Sequence, residues 1–279
     1  MAPISWFQRI YFAAVGLFAL WVGVWGYFVP ARVDGAIPWL VPPLHARFLG
    51  AMYLSGTTFM LGCILARRYA EVRVVLPMIA IWTGMLFVVS LFHLGEFDYT
   101  RQQTWAWFGI YLLFPLIALG IAWQHRTDRE SPPARPLPAW MRAYLLAQGV
   151  ATTLLGLALL LAPGFLAARW PWPVSLLLAQ IYAAPFLSYG VGSLLLARCR
   201  TWPQIRVAVV ATLVFTAAAL LASLLHRALF GAGPATWLWF GGLSVATAAL
   251  GLIAALGLRA SHSSYPPDNL SLAGRAEKG

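Results

Sequence analysis

The sequence predicts an all-α polytopic membrane protein whose eight transmembrane helices form two tandem four-helix repeats. Three observations lead to this prediction. First, 61% of the 279 residues are apolar and only 10% are charged, whereas about 25% of the residues in a soluble domain are charged. Second, eight apolar stretches are each long enough to cross a bilayer. Third, the first half of the chain matches the second half. Little of the chain remains for a large catalytic domain outside the membrane.

The eight apolar stretches each contain about 20 residues, and a helix of that length spans the roughly 30 Å of bilayer hydrocarbon. The spans must be helical because the hydrocarbon offers no water to satisfy an open backbone. The predicted spans cover residues 10–29, 48–66, 74–95, 105–123, 143–162, 174–197, 207–226 and 237–257.

The distribution of Lys and Arg predicts the orientation of the chain. With the N-terminus in the cytoplasm, fourteen of the 19 cations lie on the cytoplasmic side of the membrane. The remaining five cations lie opposite and are Arg32, Arg47, Arg101, Arg169 and Arg227. Because cytoplasmic loops are enriched in cations, we expect a bacterial-type inner-membrane protein with both termini in the cytoplasm. The net charge of +11 then reflects topology, and no nucleic-acid partner is expected.

An internal repeat is the strongest organisational signal. A shift of 133 positions aligns residues 9–97 with residues 142–230 without a gap. Rare residues coincide in this register, among them Pro38 with Pro171, Trp39 with Trp172, and His93 with His226. After one deletion, a shift of 132 aligns residues 104–109 with residues 236–241. Since each half contains four spans, both halves enter from the same side, and we expect a pseudo-two-fold axis along the membrane normal.

The repeat divides the chain into four segments. Residues 1–124 and 142–258 are predicted to form the two four-helix repeats. Residues 125–141 form a polar cytoplasmic linker, rich in Pro and charged residues. Residues 259–279 form a polar cytoplasmic tail whose composition predicts disorder.

Small residues mark the faces on which helices approach one another. In span 1, Gly16 and Gly23 are seven residues apart, as are their counterparts Gly149 and Gly156 in span 5. Helix association in lipid depends on close backbone approach, which glycine permits. The spacing therefore predicts that these glycines pack against a neighbouring helix.

Tryptophans and cysteines are predicted to have structural roles. Cys63 and Cys199 lie near the cytoplasmic ends of their spans, where thiols stay reduced, so we expect packing residues and no disulfide. Tryptophans prefer the headgroup region, and a belt is predicted at the outer ends of the spans. Its members are Trp39, Trp105, Trp107, Trp170, Trp172, Trp237 and Trp239.

Polar residues near the outer ends of the spans form the candidate site. The halves differ there, because Arg47 aligns with Gln180 and Glu96 aligns with Leu229. Ionisable groups inside a membrane are expensive and often functional. The predicted ligand-binding residues are Arg47, His93, Glu96, Gln180, His226 and Tyr53, with His45 and Asp98 nearby.

The same residues also allow structural interpretations. Glu96 can pair with Arg47 or Arg101 at the rim. Arg47 can extend its charged end to the headgroups. His93 and His226 can be neutral and either bonded to a backbone carbonyl or placed at a helix end.

Three functions are compatible with this pattern. The first is binding or movement of a small amphipathic or lipid-like ligand at the outer leaflet, in a cavity between spans 2, 3, 6 and 7. The second is a membrane enzyme that uses His93 and Glu96 as an acid–base pair or as metal ligands. The third is a structural or accessory subunit, for which a protein partner remains open. We expect membrane lipid as a partner in every case.

No cofactor is predicted, although a heme or metal at His45, His93 or His226 remains possible. A zinc site would need a third ligand to converge on two of these histidines. The sequence contains no ATP-binding loop, cysteine motif or pore-filter motif.

The predicted orientation has a direct test. Single cysteines placed between residues 125 and 138 should react with a membrane-impermeant thiol reagent only from the cytoplasmic side, because most cations lie on that side. Labelling these positions from outside in intact cells would contradict the orientation.

Overall fold

The computed structural model describes residues 3–35, 41–127 and 136–262. Its helices are α1 (Trp6–Phe28), α2 (Pro43–Leu65), α3 (Val75–Phe92), α4 (Gln102–Gln124), α5 (Ala139–Leu161), α6 (Pro163–Ala167), α7 (Leu176–Leu196), α8 (Trp202–Leu225) and α9 (Pro234–His262). All but the short α6 are long and apolar enough to cross a membrane. The prediction of an all-α bundle with eight spans is confirmed.

Some sequence predictions lie outside the described residues. They concern Trp39, residues 128–135 of the linker and the tail after His262. We refer to the end of the bundle at which α1 begins and α9 ends as the terminal end, and to the opposite end as the outer end.

Helix α2 begins at Pro43, earlier than the predicted residue 48. Proline suits the first turn of a helix because its φ is already helical and its missing N–H would have no partner there. His45 and Arg47 therefore lie in the first two turns of α2, where polar side chains are close to the membrane surface.

Four helices form the centre of the bundle. Helix α2 packs against α8, and α3 packs against α7. Around this centre, α1 covers α2, α4 covers α3, α5 covers α7 and α9 covers α8. As a result α7 is largely enclosed, whereas α5 and α9 expose most of their surface, as lipid-facing helices do.

Close approach of α1 to α2, and of α5 to α7, depends on glycine. A Cβ atom added to Gly23 would lie 3.0 Å from the backbone nitrogen of Leu54. At the counterpart Gly156 it would lie 2.9 Å from the backbone nitrogen of Leu187. The distance at Gly156 is shorter than real Cβ contacts and the distance at Gly23 is tighter than most of them, so the predicted packing role of these glycines is confirmed.

The two halves of the chain contact each other through reciprocal hydrogen bonds. Ser55 Oγ on α2 donates to the Ala211 carbonyl on α8 over 2.6 Å. Ser188 Oγ on α7 donates to the Met78 carbonyl on α3 over 2.8 Å. The two serines are 133 residues apart, as are the two carbonyls. Such an exchange is what an isologous two-fold contact requires, and it supports the repeat, which stays a prediction.

The tryptophan belt is only partly correct. Trp105 and Trp237 are exposed by 64% and 72%, as the belt requires, but Trp107 and Trp172 are each only 3% exposed. Residues two apart on a helix face different directions, so Trp105 and Trp107 cannot both face lipid. Trp107 instead donates its indole N–H to Ser90 Oγ, at 2.9 Å.

The glycine contacts predict a difference between two matched variants. Gly156→Ala should destabilise the protein by about 1–3 kcal/mol, because the new methyl group collides with the α7 backbone. Gly241→Ala should be neutral or slightly stabilising, since a Cβ at Gly241 meets nothing within 4 Å. Unfolding in mixed detergent micelles measures both changes. Equal effects of the two substitutions would contradict the assigned contact.

Candidate functional site

The predicted polar residues at the outer end form two separate pairs. In the first pair, Arg47 Nη1 lies 2.5 Å from His226 Nε2. Arg47 Nε also donates to the Tyr27 carbonyl over 3.3 Å. Because Tyr27 ends α1 and His226 follows α8, Arg47 joins the outer ends of three helices, α1, α2 and α8.

In the second pair, His93 Nε2 lies 2.6 Å from Gln180 Oε1. Gln180 Nε2 donates to the Leu160 carbonyl over 2.9 Å. This pair joins the end of α3 to α5 and α7. Each member lies 133 residues from its counterpart in the first pair, so a glutamine in one half replaces the arginine of the other.

The two histidines must use opposite protonation at Nε2. The Leu160 carbonyl can only accept, so Gln180 donates its amide N–H to it. The amide oxygen of Gln180 then faces His93, and Nε2 of His93 must carry a proton to donate to that oxygen. Arg47 only donates, so Nε2 of His226 must be unprotonated to accept. Burial and the positive charge of Arg47 lower the pKa of His226.

Glu96 does not complete either pair. It lies in the short 3₁₀ turn Leu94–Glu96 that follows His93, and its side chain is exposed. Arg47 bonds to His226 and to the Tyr27 carbonyl instead. Of the ion pairs that the sequence allowed for Glu96, with Arg47 or with Arg101, the pair with Arg47 is therefore absent from the described residues.

Tyr53 lies deeper in the bundle than the two pairs. It is buried, and its hydroxyl hydrogen-bonds to the hydroxyl of Tyr111 on α4. Sequence reasoning did not identify Tyr111, because a tyrosine in an apolar span carries no sign of its partner.

His45 is buried, and both of its ring nitrogens have partners. Nε2 lies 3.0 Å from the Pro173 carbonyl, and Nδ1 lies 2.6 Å from the Tyr182 hydroxyl. Binding of a metal at His45 would have to displace one of these partners. In the described part of the chain, no three His, Cys, Asp or Glu side chains converge as a metal site would require.

An apolar cavity of about 60 Å³ lies between α1, α2, α3 and α4, whereas the sequence predicted a cavity between spans 2, 3, 6 and 7, which are α2, α3, α7 and α8. Phe18, Tyr53, Trp82 and Tyr111 contribute to its lining. A smaller cavity of about 10 Å³, which Trp107 and Ile181 also line, shares Tyr53 and Trp82 with the first. The two cavities therefore adjoin, and together they extend from the middle of the first half toward α7.

The lining of these cavities restricts what they can hold. A water molecule needs about 10–15 Å³ when volume is measured this way, so the larger cavity has room for only a few methylene groups. An apolar cavity of this kind is suited to a slender hydrocarbon chain.

Comparisons with known proteins found no match. No protein-family model, curated protein or solved structure matches this protein.

The opposite protonation of the two histidines predicts an acid sensitivity that depends on His226. Protonating His226 abolishes its bond to Arg47 and places two cations side by side. Because the pKa of His226 is lowered in the folded protein, the neutral ring stabilises the fold. This stabilisation is fully present at a pH above the ordinary pKa of 6.5 and is lost as the pH falls through the lowered pKa. In the other pair, Nε2 of His93 already carries the proton that it donates to Gln180.

Thermal unfolding between about pH 7.5 and about pH 4.5 measures this contribution. Melting temperature should fall less steeply toward low pH in His226→Gln than in the unaltered protein. In the matched variant His93→Gln, the dependence of melting temperature on pH should be nearly unchanged. The same change of slope in both variants would show that the protonation assignment is wrong.

Proposed function

We propose that this integral membrane protein binds or moves a small amphipathic or lipid-like molecule that enters from the outer leaflet. The apolar cavity between α1, α2, α3 and α4 carries the proposal, because it offers unfilled space inside a helical bundle. Ligand sites are mostly apolar cavities with a few polar groups. Here Tyr53 and Tyr111 provide the polar groups, and Tyr53 is one of the predicted ligand-binding residues.

Helix α2 links this cavity to the outer end of the bundle. Arg47 precedes Tyr53 by six residues, which corresponds to about 9 Å along a helix. Arg47 is half-buried, and among the described residues its Nη2 atom has no hydrogen-bond partner. An anionic group at Arg47 and a hydrocarbon chain near Tyr53 would suit an amphipathic ligand.

The remaining predicted residues surround this position. His93 and Gln180 connect α3 to α7, the two helices beside the smaller cavity, while His226 holds Arg47. Glu96 is exposed at the same end, where it would meet only the polar part of a ligand. In this proposal His93, Gln180 and His226 orient Arg47 and the helix ends around the entrance.

Filling the cavity tests the proposal. Gly56 lines the cavity, and the nearest atom to an added Cβ is 3.5 Å away. Gly56→Leu should therefore fold well while occupying the space meant for the hydrocarbon chain. Gly120→Leu is the matched control, because a Cβ at Gly120 meets nothing within 4 Å.

The readout is native mass spectrometry of lipids and small amphipathic molecules that co-purify with each variant. Gly56→Leu should lower the amount of bound ligand about tenfold or more, equivalent to about 1.4 kcal/mol, with no loss of melting temperature. Unchanged occupancy in Gly56→Leu would reject the cavity as the binding site.

A second substitution examines the polar end of the site. Arg47→Gln should preserve folding, because Gln180 makes the counterpart bonds in the other half. It should weaken binding of an anionic ligand by roughly 2–5 kcal/mol, as loss of a buried charged partner does. Thermal melting and ligand occupancy are measured together. Unaltered occupancy would remove Arg47 from the site and favour the structural-subunit alternative.

A further inference from the structure

A second cavity lies at the terminal end of the bundle, far from the outer polar pairs. It has a volume of about 480 Å³ and opens between the start of α3 and the ends of α4 and α7. Three exposed arginines line it, namely Arg73, Arg126 and Arg198. Its remaining wall is largely apolar and includes Val74, Pro77, Leu119, Ala122 and Leu195. The cavity thus combines a basic rim with an apolar wall.

Two further arginines at this end, Arg142 and Arg206, lie outside the cavity and have structural partners. Arg142 Nε donates to the carbonyl of Ala197 at the end of α7. Glu71 accepts from Arg206 over 2.5 Å. The described lining of the cavity contains no acidic residue. Of the arginines that line the cavity, Arg126 donates from Nη1 to the Trp123 carbonyl over 3.0 Å and lies over the Trp123 ring, contacts that keep its side chain beside the cavity.

One wall of the cavity is held in place by a chain of polar contacts. The His125 ring stacks on Tyr69, with ring centroids 4.0 Å apart. His125 Nε2 lies 2.9 Å from Gln8 Nε2, and Gln8 Oε1 accepts from the backbone N–H of Ser5. Because the amide oxygen is already used, the Gln8 N–H donates to His125. Such a preorganised wall lowers the entropy cost of binding.

The equivalent position in the second half of the chain is closed. In the register of the repeat, a shift of 133 aligns Tyr69 with Trp202, and the later shift of 132 aligns His125 with Gly257. The Trp202 ring packs directly on Gly257, so that even a methyl group there would collide with it. The space that is open in the first half is therefore filled in the second.

The second half also lacks the basic rim. Arg198 corresponds to Leu65 and Arg126 corresponds to Leu258, while the counterpart of Arg73 is Arg206, which is paired with Glu71. The scaffold therefore does not require arginines at these positions. The arginines that line this cavity are thus present on one side of the bundle only.

We propose that this cavity binds a phosphate group, and that the phosphate belongs to an anionic membrane lipid. Arginine presents several N–H donors that match phosphate oxygens in charge and geometry. The cavity is larger than a phosphate ion needs, and its apolar wall provides a path for an acyl chain. This cavity and the apolar cavity of the proposed function share no lining residue, so each can be altered without substituting a residue of the other.

The test compares two double variants of the full-length protein in phosphatidylcholine nanodiscs. Arg126→Leu with Arg198→Leu removes two arginines from the cavity and copies Leu258 and Leu65. Arg67→Leu with Arg200→Leu removes the same charge from exposed positions at the same end, outside the cavity. Binding of phosphatidic acid is measured by native mass spectrometry, and melting temperature reports folding.

The cavity variant should bind phosphatidic acid about 100-fold more weakly, at roughly tenfold for each of the two lost charged contacts. The control should stay within about threefold, because surface cations attract anionic lipid only through the general field. Equal losses in both variants would overturn the proposal, as would equal binding of phosphatidylcholine and phosphatidic acid.

A competition arm identifies the source of the phosphate. Glycerol phosphate, which lacks acyl chains, should displace phosphatidic acid only weakly. If it competes as well as the lipid does, the phosphate site is supported but the lipid assignment is overturned in favour of a soluble phosphate ester. Gly56→Leu should not affect any of these measurements, so failure here is distinguishable from failure of the outer-leaflet proposal.

Discussion

The contact between the two halves, α2 on α8 and α3 on α7, is the interaction on which the rest of the structure depends. In lipid, helices gain little from the hydrophobic effect and associate through close packing and a few hydrogen bonds. Ser55 and Ser188 supply such bonds at the centre, and Tyr189 adds a 2.8 Å bond to Ser55. The covering helices pack on this centre through glycine. The positions of both candidate sites follow from this arrangement.

The related halves have different interiors. In the first half, apolar side chains border the cavity, including Val15 and Met60. Their counterparts are Gln148 and Ser193, which hydrogen-bond to each other over 3.1 Å. A polar pair joins α5 to α7 in one half, whereas the counterpart residues of α1 and α2 border an apolar cavity in the other. Similar backbones can therefore hold a polar contact in one half and leave an apolar cavity in the other.

The two proposed sites use different cavities, which share no lining residue. The outer site combines an arginine held by His226 with a narrow apolar cavity. The terminal-end site combines three arginines with a wide cavity and an apolar wall. Each pairs cations with hydrocarbon-lined space, which suits molecules that have an anionic group and an apolar chain. Their different volumes favour different ligands, a slender chain in one and a phosphate headgroup in the other.

The sequence by itself determined the fold class, the eight spans and the glycine contacts. These features depend on hydropathy and on spacing along one helix, both of which are local properties. The sequence also aligned Arg47 with Gln180 and His93 with His226. It could not show that Arg47 bonds to His226, because that contact joins residues 179 positions apart.

Tertiary structure alone decided which polar groups meet and where space remains. It separated the predicted cluster into two pairs, left Glu96 exposed and buried Trp107 against Ser90. It also gathered Arg73, Arg126 and Arg198, which the sequence had marked only as topology signals, around one cavity. A cation count cannot distinguish an arginine that faces lipid headgroups from one that lines a cavity. That difference depends on how helices distant in sequence pack together.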